Sequence, residues 1–290
     1  MICCLCPRQC RVDRTLTAGY CGMPEELYIA RAALHFWEEP CISGSRGSGA
    51  VFFAGCNLKC VYCQNYEISA LRYGKAITED RLSDIFIELQ DEGAHNINLV
   101  TPTHYLHKII PALKKAKLKI PVVYNTGGYE SIESLKRLEG LIDIYLPDFK
   151  YFSSKISGAF SDAPDYPDIV ITAINEMVRQ TGKPLFDEEG ILKSGTMVRH
   201  LILPGHYRDS IEIMKWLAEN HKEDILISVM RQFTPNNRTD IKELNRILTT
   251  YEYDAVLKFL IENGMENVYI QEKGSVGEDF IPPFDLTGVD

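Results

Sequence analysis

GAVFFAGCNLKCVYCQN, residues 49–65, joins two signals. Its first six residues form a short, nearly continuous apolar run. Its second part sets Cys56, Cys60 and Cys63 in a C-x3-C-x2-C spacing. A short apolar run that opens on Gly and closes on Gly reads as a strand covered on both faces. In parallel α/β folds the chemistry gathers beyond the C-terminal ends of strands, so the three thiols stand where an active site is expected.

Outward from this stretch the strand pattern recurs in NINLV (96–100), IPVVYN (120–125), IDIYLP (142–147), MVRHLIL (197–203) and DILISVM (224–230). Helical patterns lie between. In TEDRLSDIFIELQDEG, Leu82, Ile85, Phe86 and Leu89 recur at helical spacing, with Thr78 as N-cap and Gly93 as stop. Residues 103–116, 130–139, 167–180, 209–221 and 251–263 read the same way. Strand followed by helix, six times, specifies an α/β fold with a parallel sheet and right-handed crossovers, either an open doubly wound sheet or a barrel, complete or partial. Residues 151–166, rich in Ser, Asp and Pro, read as a long surface loop. Three parts follow: a Cys-rich, irregular segment at 1–47, the α/β domain at 48–272, and a Gly- and Pro-rich tail at 273–290 after VYIQE (268–272).

The chain has 290 residues and a formal net charge of −9. That balance disfavours nonspecific nucleic-acid binding, which draws on neutralised phosphates. No apolar stretch is long enough to cross a bilayer, and MICCLCPRQC lacks the apolar core of a secretory signal, so a cytoplasmic location is expected. All nine cysteines lie in the first 63 residues. In a reducing compartment such a cluster reads as metal binding or chemistry rather than as a disulfide framework.

Three thiolates on one loop can hold three irons of a [4Fe–4S] cube, leaving the fourth iron open to a small molecule. A Zn site with its fourth ligand elsewhere is the alternative. Nearer the N-terminus, Cys3, Cys6, Cys10 and Cys21 form a second soft-ligand set, suited to Zn or to a second Fe–S cluster, with buried free thiols as the alternative. Cys4 could displace Cys3 in it. Cys41 reads as a small core residue.

The C-x3-C-x2-C loop with an aromatic residue, Tyr62, before its last cysteine resembles that of the radical S-adenosylmethionine (SAM) enzymes. Within them the chain looks most like the branch of the pyruvate formate-lyase activating enzyme and its poorly characterised PflX-like relatives. The resemblance spans about residues 35 to 235. It implies a partial (β/α)6 barrel, a [4Fe–4S] cluster on Cys56, Cys60 and Cys63, and SAM on the open iron. It further implies reductive cleavage of SAM to a 5′-deoxyadenosyl radical that abstracts a substrate hydrogen atom. NLVTPTH (98–104) stands where the family has a Gly-Gly-Glu-like turn for the SAM amino group; that triplet is absent, and Thr101, Thr103 and His104 take its place. YNTGGY (124–129) resembles the family's Asn-Thr-Asn-Gly turn, pointing to Asn125 and Thr126. LPDFK (146–150) resembles its Asp-Leu-Lys motif, with Lys150 toward the SAM carboxylate. VRHLILPGH (198–206) points to Arg199, and SVMRQFTP (228–235) to Gln232 near the ribose and adenine. Each of these has a plainer reading: Asp148 and Lys150 as a strand-end ion pair, His104 and His200 as satisfied core histidines, 125–128 as a turn.

The resemblance implies a low-potential electron donor, flavodoxin or ferredoxin-like, and a glycine of a partner protein as substrate. Radical modification of a small molecule is the enzymatic alternative. A non-catalytic Fe–S or Zn protein, for electron transfer or scaffolding, is the non-enzymatic one.

Overall fold

The structure, a computed structural model, describes residues 2–236, 238–271 and 281–290. Its strands are β1 (Leu27–His35), β2 (Ser48–Phe53), β3 (Lys75–Ile77), β4 (Ile97–Val100), β5 (Val122–Thr126), β6 (Ile144–Pro147), β7 (Leu185–Phe186), β8 (Leu192–Leu201), β9 (Leu226–Met230) and β10 (Val268–Ile270). They form one sheet in the order β10-β9-β8-β6-β5-β4-β2-β1-β3, with β7 paired to β8. Every pairing from β2 across to β10 on this path is parallel, while β1 is antiparallel to β2 and to β3. The expected α/β class with a mostly parallel sheet is therefore present, and all six expected strands belong to it.

The helices are α1 (Pro40–Ser43), α2 (Tyr66–Ser69), α3 (Glu79–Asp91), α4 (Leu106–Ala116), α5 (Ile132–Lys136), α6 (Ser154–Ser161), α7 (Tyr166–Thr181), α8 (Tyr207–His221) and α9 (Thr250–Glu262). In α3 the Thr78 side chain accepts from the Arg81 N–H, the cap its sequence specifies. The helix expected at 103–116 opens as a 3-10 turn over Thr103–Tyr105, and that expected at 130–139 shortens to α5.

Two expectations are corrected. Residues 27–35, inside the stretch read as irregular, form β1, whose nine residues alternate toward buried and part-buried positions and lie along β2. Residues 151–166 are not a loop throughout: α6 occupies the middle, capped by the Ser153 side chain on the Ile156 N–H and closed by left-handed Asp162. The Ser and Asp residues that suggested a loop are helix caps, where their side chains satisfy free backbone groups. Within VYIQE, Val268–Ile270 form β10, a strand beyond the six expected. Glu272 and residues 273–280 of the expected tail lie outside the described residues. Among the described residues no helix is long and apolar enough to cross a membrane.

Because side chains alternate along each strand, the two faces carry different cores. Tyr124 and Tyr145 pack with α3 and α4 residues such as Phe86 and Ile109 on one face. On the other face Val123, Ile144, Leu146, Met197 and Leu226 pack with Cys41 and Ile42. The segment leading out of β1 into α1 thus lies against the second face. Asn98, Asn125 and Arg199 fall on that same face by alternation, in line with the C-terminal strand ends.

Candidate metal and cofactor site

Gly55 turns the chain out of β2 with φ +85, in the left-handed region that glycine adopts without cost. A Cβ there would collide with Met23, and it would come within 3.0 Å of the Cys21 carbonyl oxygen. The loop that follows places Cys56, Cys60 and Cys63, all half-buried free thiols, on the wall of a cavity of about 730 Å³. Tyr62, Thr101, Asn125, Thr126, Lys150, Arg199 and Gln232 line the same cavity. Tyr62 belongs to the cysteine loop; the others come from just after β4, from β5, from just after β6, from β8 and from the segment after β9.

The sulfurs are met by donors. The Leu58 N–H points to Cys56 Sγ at 3.4 Å, and the Ser161 hydroxyl donates to Cys60 Sγ at 2.9 Å. Cys63 Sγ lies 3.2 Å from Ser69 Oγ. Burial pushes the Cys56 thiol up to about 12, with repulsion from Cys60 adding to the effect, and burial also raises Cys63. Thiols so placed ionise only against a strong local positive charge, which a bound metal supplies. Three sulfurs on one cavity wall, each with a hydrogen-bond partner, suit the thiolate ligands of an iron–sulfur cluster.

A buried charge network lines the same cavity. Lys150 Nζ donates to Asp148 Oδ2 at 2.6 Å. Arg199 donates to Asp148 Oδ1 at 3.0 Å, to Glu38 Oε2 at 3.1 Å and to Asn125 Oδ1 at 2.7 Å. Glu38 Oε1 accepts from Asn98 at 3.1 Å and from Asn125 at 3.2 Å. Burial is the largest single influence and works against both cations, but their partners together outweigh it and both are raised: Asp148 with Cys60 and Cys63 at Lys150, and Asp148 with Glu38 and Glu39 at Arg199. Glu39 is raised by burial and bonded by Ser228, and its Oε2 has no hydrogen-bond partner. Thr101 stands at the end of β4 with φ +59, a conformation rare for a β-branched residue, and such strain gathers at ligand sites.

Two of the residues singled out in the sequence lie elsewhere. Thr103 donates to Glu130 Oε1 at 2.5 Å, and His104 is buried with Nε2 2.7 Å from the Ala54 carbonyl. Neither lines the cavity. Burial pushes His104 down to about 3, so its ring is neutral and packs beneath the cysteine loop. His200 is likewise buried, with Nδ1 2.6 Å from the Phe149 carbonyl, and is pushed down to about 4. Lys150 forms the strand-end ion pair with Asp148 and also lines the cavity. Cys41 is buried in the core beside Ile42. Cys3, Cys6 and Cys21 are buried, Cys10 is half-buried and Cys4 exposed, and none of the five lines the cavity. Among the described residues no three His, Cys, Asp or Glu side chains stand close enough for one metal ion, in either cysteine set.

Sequence reasoning missed Glu38, Glu39, Tyr151 and Ser161. The Tyr62 and Tyr151 hydroxyls meet at 2.7 Å, Tyr151 meets Ser161 at 2.6 Å, and Ser161 reaches Cys60. This chain links the aromatic residue of the motif to the sulfur chemistry through α6, where a loop was expected. The acidic pair before Pro40 was the only signal for Glu38 and Glu39, and its place depends on the α1 segment crossing the sheet.

Comparison with known proteins bears on the fold and the family. The chain is 28% identical over 277 residues to Uncharacterized protein MJ0674 of Methanocaldococcus jannaschii, covering 92% of this chain and 76% of that one. In fold it is similar to SuiB of Streptococcus suis bound to the precursor peptide SuiA, with TM-score 0.53 and 17% identity over 76% of this chain. It is similar also to SuiB bound to S-adenosylmethionine, with TM-score 0.50 and 15% identity over 76% of this chain. The chain spans about half the length of SuiB, 47% and 49% in the two structures. Residues 50–217, more than half of the sequence and the part that carries both the cysteine loop and the Lys150–Arg199 wall, match the Radical SAM superfamily, and the chain belongs to that superfamily.

Proposed function

We propose that the protein is a radical SAM enzyme of the activating-enzyme type, with Cys56, Cys60 and Cys63 as ligands of a [4Fe–4S] cluster and the adjoining cavity as the SAM site. The observation that carries this reading is the joint placement of the three thiols and the Lys150–Asp148–Arg199 wall on one cavity. When bound and reduced, the cluster supplies cleavage of SAM to a 5′-deoxyadenosyl radical that takes a hydrogen atom from the substrate. The chain's own part is positional. Lys150 and Arg199 offer fixed cations for the SAM carboxylate; Asn125, Thr126 and Thr101 offer polar contacts at the strand ends; the surrounding apolar wall excludes water. The pairing of Glu38 with residues of β4, β5 and β8 supports a sheet bent into a partial (β/α)6 barrel around the cavity. The thiols at Cys3, Cys6, Cys10 and Cys21 form a second metal-binding set within the N-terminal segment. Reduced thiols at both sets suit the cytoplasm, with flavodoxin or a ferredoxin-like protein as electron donor.

A glycine of a partner protein is the substrate this reading favours. Phe36 and Ile270, 52% and 58% exposed, border the cavity. Large apolar side chains left in water beside a site mark a surface that meets another molecule. A peptide-sized substrate also accords with the fold shared with SuiB.

Anaerobic reconstitution with iron and sulfide, reduction by dithionite in the presence of SAM, and chromatography for 5′-deoxyadenosine test the proposal. Product from the wild type and none from Cys56→Ala supports it; cleavage that survives loss of all three loop thiols would overturn it. With a partner carrying α-deuterated glycine, label entering 5′-deoxyadenosine identifies the glycyl substrate, and unlabelled product excludes it.

A further inference from the structure

The four N-terminal thiols do not sit at a distance from the cysteine loop; they are built against its back. Cys3, Cys6 and Cys10 are drawn onto one turn by two bonds, the Cys3 N–H to the Val12 carbonyl and the Arg11 N–H to the Cys3 carbonyl, each 2.9 Å. Gln9 and Arg11, on either side of Cys10, hold φ of 45 and 53, a left-handed pair of non-glycine residues. Such strain persists only where the surroundings enforce it. Cys21 joins from the next turn: its sulfur and that of Cys10 each lie 3.6 Å from the point a Cβ on Gly19 would occupy. The Tyr20 N–H donates to Cys10 Sγ at 3.2 Å. The sulfurs of Cys10 and Cys21 thus both border the Gly19 backbone.

Arg8, inside the same turn, holds this unit to the loop. It donates to the Asn57 carbonyl at 2.9 Å and to the carbonyls of Ser161 and Asp162 at 3.3 and 2.5 Å. Its guanidinium lies 3.9 Å from the Tyr20 ring centroid. Tyr20 donates to Asp162 at 2.6 Å, and the Cys21 carbonyl abuts Gly55, the residue before Cys56. Cys4 is exposed on the same unit, while Cys3, Cys6 and Cys21 are buried and Cys10 half-buried.

We propose that Cys3, Cys6, Cys10 and Cys21 hold a second iron–sulfur cluster that receives electrons from a reduced flavodoxin-type protein and passes them to the Cys56–Cys60–Cys63 centre. The step moves one electron from the donor flavin protein, which is oxidised, to the N-terminal cluster and on to the second centre, which is reduced; no bond forms and no proton moves. Zinc has no redox chemistry, whereas four thiols on a unit that Arg8 ties to the cysteine loop suit a redox-active iron–sulfur centre. The electron-transfer role rests on the function proposed above; the cluster itself does not.

The test uses the full chain. The triple variant C56A/C60A/C63A, reconstituted anaerobically, should retain about four irons and four sulfides and give a paramagnetic signal on reduction. Metal-free folded protein by circular dichroism, or zinc in place of iron, would overturn the second cluster. In a C6A/C10A variant, absorbance should show reduction of the remaining cluster by reduced flavodoxin lost and reduction by dithionite kept. Equal rates of loss with both reductants, or no loss with either, would overturn the relay. Because C6A/C10A could unfold the turn, Arg8→Gln serves as a second variant: iron content should stay at the wild-type level while flavodoxin-driven reduction slows, and an unchanged rate counts against the relay. A wild type that cleaves no SAM with either reductant would overturn the proposed function and the relay with it, while the iron content of the triple variant still decides the second cluster.

Discussion

Lys150 and Arg199 share Asp148 but do not depend on it equally. Arg199 is also held by Glu38 and Asn125, whereas Asp148 is the acidic partner of Lys150. Replacing Lys150 by Ala leaves Asp148 facing Arg199, so the SAM-free protein should melt close to the wild type. SAM binding should weaken by about 1.5–3 kcal/mol, the range for a hydrogen bond to a charged group, or roughly 10- to 150-fold. Titration of SAM into the reconstituted variant, beside a melting curve without SAM, checks both halves; a lowered melting point with full SAM affinity would reduce Lys150 to a structural ion. Glu130 gives a second residue-scale expectation. It is fully buried, accepts from Thr103, Thr126 and Tyr124, and burial pushes its carboxyl up to about 7. The folded protein therefore binds this proton more tightly than the unfolded chain. Its contribution is fully present below the usual carboxylate range and is lost as pH rises through about 7. Ionising it costs the folded state about 3 kcal/mol relative to an ordinary glutamate. Glu130→Gln keeps the acceptor oxygen and removes the ionisation. The variant should gain on the wild type between pH 5 and pH 8 by about that amount, as read by urea unfolding of the metal-free protein at the two pH values. A constant difference between the two proteins would show that Glu130 does not titrate there.

At the scale of elements, the turn after β5 decides where Asp148 stands. Gly128 holds φ +79, and a Cβ on it would run into the Asp148 carbonyl oxygen and come within 2.8 Å of Val170. The Tyr166 hydroxyl, donating to the carbonyls of Gly127 and Asp148 at 2.9 and 2.6 Å, locks α7 to the same turn. Gly128→Ala should cost at least the about 1–3 kcal/mol of a non-glycine residue in this conformation, and should displace Asp148 from Lys150. Thermal unfolding gives the first, and SAM affinity falling together with stability gives the second; a neutral substitution would mean the turn yields freely. The elements around this turn were legible because each parallel strand is buried on both faces and so reads as an unbroken apolar run. Two were not. α6 begins and ends on Ser153 and Asp162, whose capping chemistry is the same that makes loops. β1 lies between cysteines and the segment that crosses the sheet, and its pairing with β2 and β3 shows what it is. The cysteine loop was legible because its ligands are neighbours in sequence. The network behind it was not, since Ser161 reaches Cys60 across about a hundred positions and the acids on the floor act on residues from other strands.

In the whole molecule, one side chain ties the sheet's site face together. Glu38 leaves the end of β1 and meets Asn98 on β4, Asn125 on β5 and Arg199 on β8. β4 and β8 are three strand intervals apart, about 14 Å across a flat sheet at ordinary spacing. Cys41 and Ile42 fill the apolar space beside it, so the segment 38–42 works as a floor under the cavity. A buried carboxylate that serves three strands is costly to remove: two amides and a guanidinium lose their acceptor at once. Glu38→Ala should destabilise the metal-free protein by about 3 kcal/mol, at the low end of the range for breaking a buried ion pair, because Asp148 still faces Arg199. The loss should also be local. Amide hydrogen exchange should speed up in β4, β5 and β8, which Glu38 joins, while α3 and α4, packed on the opposite face, keep their protection. Glu38→Gln, which retains one acceptor oxygen and loses the charge, should fall between the two. Faster exchange spread evenly over both faces would make Glu38 an ordinary core residue, and exchange unchanged in the three strands would show that the sheet holds its site without a floor.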